Sequence, residues 1–553
     1  MCPWQPKPVG RLHMMISKMH RLFAAAGLAA LLAQPAFAAG VLTADQIAAL
    51  KTRAVAGVES RAKLAQVMTD EIFSFGELGY QEVETSKYIT DILEKNGFTI
   101  VRGVAGLPTG WTATWTNGKG GPTIALGSDI DCIPKASQKP GVPRHDPLIP
   151  GAPGHGEGHN SGQALNVVAA LAVKDIMQKE GIAGTLVLWP GVAEELVGGK
   201  AYMVRDGVFK GVDATIFTHV GDNLVTTWGQ PMGTGLVSVK YLFHGESAHA
   251  AGAPWRGRSA LDAVELMDIG WSFRREHLLP EQRSHRVISD GGDQPNVVPS
   301  EAAVWYYFRE QSFASIKKNY EIGNKIAQAA AEMTDTTVEH HVIGSAAPQH
   351  FNRPMAEAAD ANIQKVGLPT WTPEEQAFAR AVQKTVGAEQ NGLSLTLKGL
   401  EAPREKPESG GSDDIGDISW IMPTITIRYP SNIPGLPGHN WANAISMATP
   451  VAHKGVVAGS KAVAMTVLDL MTRPDLLASA KTYFKDVQNK DQHYVPMLAS
   501  DDKPQIQANA DIMARFRPEM RKYYYDPKTY PTYLEQLGIK WPPVDVSKAA
   551  VSK

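Results

Sequence analysis

The chain has almost no cysteine: among its 553 residues only Cys2 and Cys132 carry a thiol. Cys2 precedes an export-type leader, so after cleavage Cys132 stands alone and no intramolecular disulfide can form. The mature fold must rest on its core. Net charge is equally scarce, with Lys+Arg 54 against Asp+Glu 56. That balance excludes the basic footprint of a nucleic-acid binder and gives no electrostatic membrane anchor, which leaves small molecules or other protein chains as partners. The apolar run LFAAAGLAALLA at 22–33 is too short to span a bilayer. Lys18, His20 and Arg21 lie ahead of it and Ala36-Phe37-Ala38 follows as a small-x-small cleavage signature, so 1–38 reads as a secretory signal peptide and the mature chain as exported, periplasmic or secreted.

What is present points to more than one domain. With 43% apolar and 20% charged residues, a chain of this length buries more than a single ordinary core holds. Apolar runs at 123–127, 185–189, 214–218 and 424–428 read as buried strands, and apolar helices at about 161–178 and 447–471 separate some of them. This predicts an α/β domain, a central sheet flanked by helices, split into 39–234 and 345–474. Between the halves, 235–344 reads β-α-β-β-α-β: a strand at 237–243, a helix from Ser259 to about His277, strands near 286–289 and 303–308, a helix through Ile316 and Ala330, and a strand at 337–343. That order is the split βαβ, ferredoxin-like motif of a small α+β insert. A Tyr- and Pro-rich extension, 475–553, shows ordered-looking aromatics and no chemistry of its own.

Titratable residues gather at the predicted strand ends. His159 lies in GHGEGHN ahead of a buried helix, Glu194 and Glu195 follow the strand at 185–189, His219 ends the strand at 214–218, and His439 follows the strand at 424–428. In open α/β sheets the carboxyl edge is where sites are built. Singly, each has a plainer reading: an exposed loop histidine, a solvated acidic pair, a satisfied core histidine. Together with Glu157 they form a nitrogen- and oxygen-rich set suited to one or two divalent ions.

The segments GHGEGHN, GTLVLWPGVAEELVGGKAYMVRDGVF, FHGESAHAAGAPWRGRSALDAVELM, QPNVVPSEAAVWYYFR, GGSDDIGDISW and GHNWA, taken in order, resemble the aminoacylase and carboxypeptidase type of dinuclear metallohydrolase. The resemblance spans about 45–472 and is nearest to the amidohydrolase branch that acts on p-aminobenzoyl-glutamate and on N-acyl amino acids. It implies a metal-dependent enzyme that hydrolyses the amide bond of N-acyl or N-aroyl amino acids or dipeptides. A broad-specificity metallopeptidase, or a weakly active binding subunit of a heteromeric hydrolase, are the alternatives. By resemblance, Glu157, His159, Glu195, His219 and His439 are metal ligands for two divalent ions, zinc or manganese, and Glu194 is the general base. Asp131 is an acid that orients a ligand, His249 and Asn296 in the insert stabilise the developing oxyanion, and Arg258 and Arg309 are candidates for gripping a substrate carboxylate. Asp131 and His249 each keep a plainer reading as turn caps. The insert is expected to act as lid and dimerisation surface of a homodimer. One position departs from the branch: Glu157 stands where Cys is usual, which keeps the bridging negative charge and favours harder ions.

Overall fold

The computed structural model describes residues 42–230, 233–403 and 410–543; the leader read at 1–38 lies outside them. The strands in chain order are β1 (Thr99–Arg102), β2 (Trp111–Asn117), β3 (Thr123–Asp129), β4 (Gly184–Gly191), β5 (Ala214–Gly221), β6 (Val225–Thr226), β7 (Gly235–His244), β8 (Arg283–Asp290), β9 (Glu301–Glu310), β10 (Thr337–Ala346) and β11 (Thr424–Pro430). Seven of them form a mixed sheet in the order β1-β2-β4-β3-β5-β11-β6. The neighbours β4, β3, β5 and β11 run parallel; β2 and β6 flank them antiparallel, and β1 pairs antiparallel to β2 at the edge. These parallel strands are the four apolar runs of the sequence, and their residues are almost all buried because helices cover a parallel sheet. Helix Pro450–Thr472 packs on β11 and against helices Gly162–Glu180, Ala44–Glu59 and Arg353–Val366. It is apolar and long enough to cross a membrane, yet 89% of its most apolar window is buried, as in a core helix.

The remaining strands make a second, antiparallel sheet in the order β10-β7-β9-β8, with helices Ala260–Arg275 and Phe313–Met333 packed against it. Inward residues alternate along β9, and Tyr241, Trp271, Tyr306 and Phe308 build a core separate from that of the larger sheet. Connectivity is β-α-β-β-α-β, so the fold class is an α/β domain carrying a ferredoxin-like α+β insert. Strand β8 is an edge and almost wholly exposed.

Beyond the sequence reading, the structure adds β1, β2, β6 and three N-terminal helices (Ala44–Glu59, Ala62–Phe75, Val83–Lys95). It also orders residues 475–543 of the C-terminal extension. Helices Pro474–Tyr483, Ala510–Met520 and Tyr533–Gln536 are joined by long irregular stretches that bury Leu498, Met513, Met520, Tyr525 and Tyr533 against the body of the protein.

Candidate metal centre and cleft

The four parallel strands deliver their titratable residues to one edge. Asp129 ends β3 and Asp131 follows it; His219 lies near the end of β5; Glu194 and Glu195 form a one-turn helix, Glu194–Leu196, just past β4; His439 lies in the loop after β11. His159 comes from the loop that enters helix Gly162–Glu180. Gly158 is required beside it: its φ is +116°, and a Cβ there would lie 2.4 Å from the Met447 sulfur.

The side chains converge. His159 Nε2 and His219 Nε2 lie 3.3 Å apart, both buried. His219 Nδ1 sits 2.9 Å from the Val220 carbonyl, and His159 Nδ1 faces the Asp131 carbonyl at 3.2 Å and its carboxylate at 3.4 Å. With its Nδ1 held by the Asp131 oxygens, His159 turns Nε2 toward His219 Nε2, a pair of nitrogens that suits a cation between them. Glu157 spans the cluster: Oε1 is 3.6 Å from His219 Nε2 and Oε2 is 2.9 Å from His439 Nε2, which is itself 3.3 Å from Glu195 Oε2. Glu195 Oε1 is buried with no hydrogen-bond partner. A buried carboxylate with one oxygen orphaned and the other beside an imidazole nitrogen fits a metal and fits nothing apolar. Ligand atoms of Glu157, Glu195 and His439 group within 4.8 Å of one another, as do those of His159, Glu194 and Glu195 and those of Asp129, His159 and His219.

The electrostatics follow from this crowding. Burial pushes the Glu194 carboxyl well above the usual range, and Asp413, Asp129 and Glu195 add to it. Burial likewise raises Glu195 to about 7 and lowers His219 to about 4. The hydrogen bond to Glu157 raises His439 to about 9. Burial works to raise Glu157, but His439, His219 and His159 outweigh it and hold the carboxyl low. The packed carboxylates recruit positive charge, from protons when nothing better is bound and from divalent ions when they are.

Beneath the cluster lies a buried ion network. Lys200 Nζ is 2.5 Å from Asp129 Oδ1 and 3.7 Å from Asp413 Oδ1, and it donates to Asp414 Oδ1, whose other oxygen accepts from the Lys200 backbone N–H at 3.1 Å. Asp413 and Asp414 also stand close to Glu194. GGSDD belongs to the resembling segments, yet neither these roles nor that of Lys200 can be read from its letters. The same holds for Arg428, whose Nη1 is 2.9 Å from His219 Nδ1; a charged residue inside the buried run TITIR is the one signal of it.

A cleft of about 340 Å³ opens over the cluster, lined by Glu157, Glu194, Glu195, His219 and His439 and, from β9 of the insert, Tyr307 and Arg309. Arg309 lies over the Tyr307 ring at 5.3 Å and donates to Ser412 Oγ at 2.8 Å, while its Nε is buried without a partner. An adjoining cavity of about 430 Å³ shares Gln349, Asp413 and Arg428 and extends to Trp228, Phe351 and Glu401. Arg258 stands elsewhere: its guanidinium pairs with exposed Asp335 at 3.1 Å and with backbone carbonyls, because its loop belongs to the outer end of the insert. His249 and Asn296 are not among the residues lining the cleft of their own chain, and His249 Nδ1 accepts from the backbone N–H groups of Ala251 and Gly252.

Residues 234–337 match the peptidase dimerisation domain. Over 462 residues the chain is 32% identical to one of the subunits of p-aminobenzoyl-glutamate hydrolase from Escherichia coli (strain K12), covering 78% of this chain and 94% of that protein. It is 28% identical over 457 residues to the Xaa-Arg dipeptidase of Mus musculus, covering 81% and 94%. Among solved structures, one described as an aminohydrolase from methicillin-resistant Staphylococcus aureus superposes with a TM-score of 0.55 at 19% identity, covering 76% of this chain and 100% of that one. With 32% identity over nearly the whole length of a hydrolase chain, the protein belongs to the M20 family of metallopeptidases and amidohydrolases.

Proposed function

We propose that the protein is a metal-dependent amidohydrolase that cleaves N-acyl or N-aroyl amino acids, with an aroyl-glutamate as the model substrate. The observation that carries this reading is a single cleft in which buried Glu194 stands beside the metal-ligand cluster and faces Arg309. Glu157, His159, Glu195, His219 and His439 would hold two divalent ions, zinc or manganese. Bound there, the ions polarise the amide carbonyl and acidify water in the cleft.

The chain's own residues do the rest. Glu194, whose carboxyl is already pushed upward by burial, takes a proton from the attacking water and delivers it to the amide nitrogen as the C–N bond breaks. Asp131 holds His159 and, through Oδ2, accepts from the Glu195 backbone N–H at 3.1 Å, so one carboxylate orients two ligands. Arg309, with a buried Nε lacking an acceptor, grips the substrate's free carboxylate.

A second reading has an observation of its own. The adjoining cavity carries Glu401 and Asp413, which suit a cationic side chain, and one relative is named for Xaa-Arg dipeptides. The leader's basic flank, apolar run and Ala36-Phe37-Ala38 support export, and the matched dimerisation domain supports a homodimer.

Metal analysis of the purified protein, with a hydrolysis screen over aroyl-glutamates, acyl amino acids and arginine-ending dipeptides, tests the proposal. Glu194→Gln should keep its metal and fold and lose at least about a hundredfold in kcat, since an amide cannot accept the proton. Near-native turnover would place the base elsewhere. Glu195→Gln, His219→Ala and His439→Ala should each lose metal as well as rate.

A further inference from the structure

The one-turn helix bearing Glu194 and Glu195 is strained at both ends. Ala193 before it and Val197 after it adopt left-handed φ values of +51° and +47°, and neither is glycine. Such conformations persist only where surrounding structure over-determines them. Here the restraint comes from one segment, residues 77–84, the loop that enters helix Val83–Lys95 with that helix's first residues. Glu82 is fully buried; its Oε1 accepts from the Ala193 backbone N–H at 2.9 Å and its Oε2 from Thr109 Oγ1 at 2.7 Å. Tyr80 donates its hydroxyl to the Gly198 carbonyl at 2.7 Å. One loop thus grips the turn ahead of Glu194 and again beyond Val197. The contact is close: a Cβ on Gly79 would lie 2.9 Å from the Ala193 Cα and 3.2 Å from Asp131 Oδ2.

That loop is itself held by the C-terminal extension. Gln81 Nε2 donates to the carbonyls of Ile506 and Ala508, Asn509 Nδ2 donates to the Gly79 carbonyl, and Arg517 donates to the Gln81 carbonyl at 2.6 Å. Arg517 also pairs with buried Glu77 at 3.0 Å, and Arg521 with Glu84 at 2.9 Å. Met513 and Met520 pack on Leu78 and Cys132. The loop therefore bonds to the extension on its outer side and to the Glu194–Glu195 turn on its inner side.

We infer that Glu82 is a positioning residue for the Glu194–Glu195 turn, and that segment 506–521 of the C-terminal extension clamps its loop so that the turn keeps its strained geometry. The extension, which carries no chemistry legible in its sequence, then acts on the reaction from behind the site. The kinetic arm of the inference rests on the amidohydrolase reading; its structural arm does not.

Amide hydrogen exchange on the full chain separates the two. Glu82→Ala should raise exchange at least about tenfold across residues 192–199, and Glu82→Gln, which keeps an acceptor for Ala193, should restore protection. Arg517→Ala should raise exchange across 77–84 and, more weakly, across 192–199. Tyr80→Phe is the milder variant should Glu82→Ala not fold, and it predicts the same rise at the far end of the turn. With p-aminobenzoyl-glutamate as probe, Glu82→Ala should lower kcat at least about tenfold with KM within about twofold, as small misplacements of reacting groups do. Unchanged exchange across 192–199 in Glu82→Ala, or in Tyr80→Phe if only that variant folds, overturns the inference. If exchange responds as stated but Glu194→Gln keeps full turnover, the clamp stands and the assignment of Glu194 as the base falls.

Discussion

Glu157 holds its two oxygens toward different histidines, His219 on one side and His439 on the other. That placement suits a carboxylate that would be shared by two ions. Removing it in Glu157→Ala should leave one ion strongly bound and drop metal content from about two per chain towards one. Glu157→Cys, a thiolate once deprotonated, should recover occupancy and move preference from manganese towards zinc. Plasma emission analysis after dialysis reads both; two ions retained by Glu157→Ala would end the bridging assignment. His159, Glu195, His219 and His439 can be singled out from sequence because each sits just past a recognisable apolar strand or ahead of an apolar helix. Lys200 and Asp414 cannot, because their contact joins residues 214 positions apart and neither has a local pattern. Glu82 is hidden for the same reason, its partner Ala193 lying 111 positions away.

Among the elements, the parallel strands are legible because burial on both faces forces continuous apolar runs, whereas β1 is short and mostly exposed and leaves no such trace. Strand β2 leaves a different one, the alternation of buried Trp111, Ala113 and Trp115 with Thr112 and Thr114, which a search for continuous apolar runs passes over. The extension is illegible because single contacts, such as Tyr494 to Asp417 at 2.6 Å and Arg517 to Glu77, anchor it without any period. Helix Lys200–Arg205 shows how elements are tied beneath the site. Its first residue joins the end of β3 through Asp129 and the cap of helix Ile415–Ser419 through Asp414. Lys200→Met would leave those carboxylates facing one another without their cation. Loss of one partner of a buried ion network costs about 3–5 kcal/mol, so chemical denaturation should show a fall of that size at pH 7, with Asp129 and Asp414 drawn toward their protonated forms. A loss below about 1 kcal/mol would mean that water or a bound metal carries the charge instead.

Across the whole molecule, the insert lends residues to its own chain's cleft and leaves an outer edge uncovered. Strand β9 brings Tyr307 and Arg309 into the cleft, so the insert supplies part of the wall of its own chain's site. Its far end is different: β8 is an exposed edge strand, with Val287 and Ile288 uncovered on it and Phe273 and Trp255 uncovered nearby in the chain. An open edge beside exposed apolar groups is what a pairing surface presents, and the matched dimerisation domain lies here. His249 and Asn296 occupy loops of this same insert and do not line the cleft of their own chain. If the oxyanion role implied by the resemblance holds, these residues complete the site of a second protomer, and no chain is active alone. His249→Ala and Glu194→Gln proteins should each be nearly inactive as pure dimers. Mixed and allowed to exchange protomers, they would form heterodimers in which one cleft has both an intact base and an intact partner histidine. About a quarter of wild-type activity should then return, since half the dimers are mixed and each carries one complete site. Exchange is followed independently by native mass spectrometry of the mixture. Full exchange without recovered turnover would mean that His249 acts in its own chain or serves only to cap the turn at Ala251 and Gly252, where the structure gives it two hydrogen bonds.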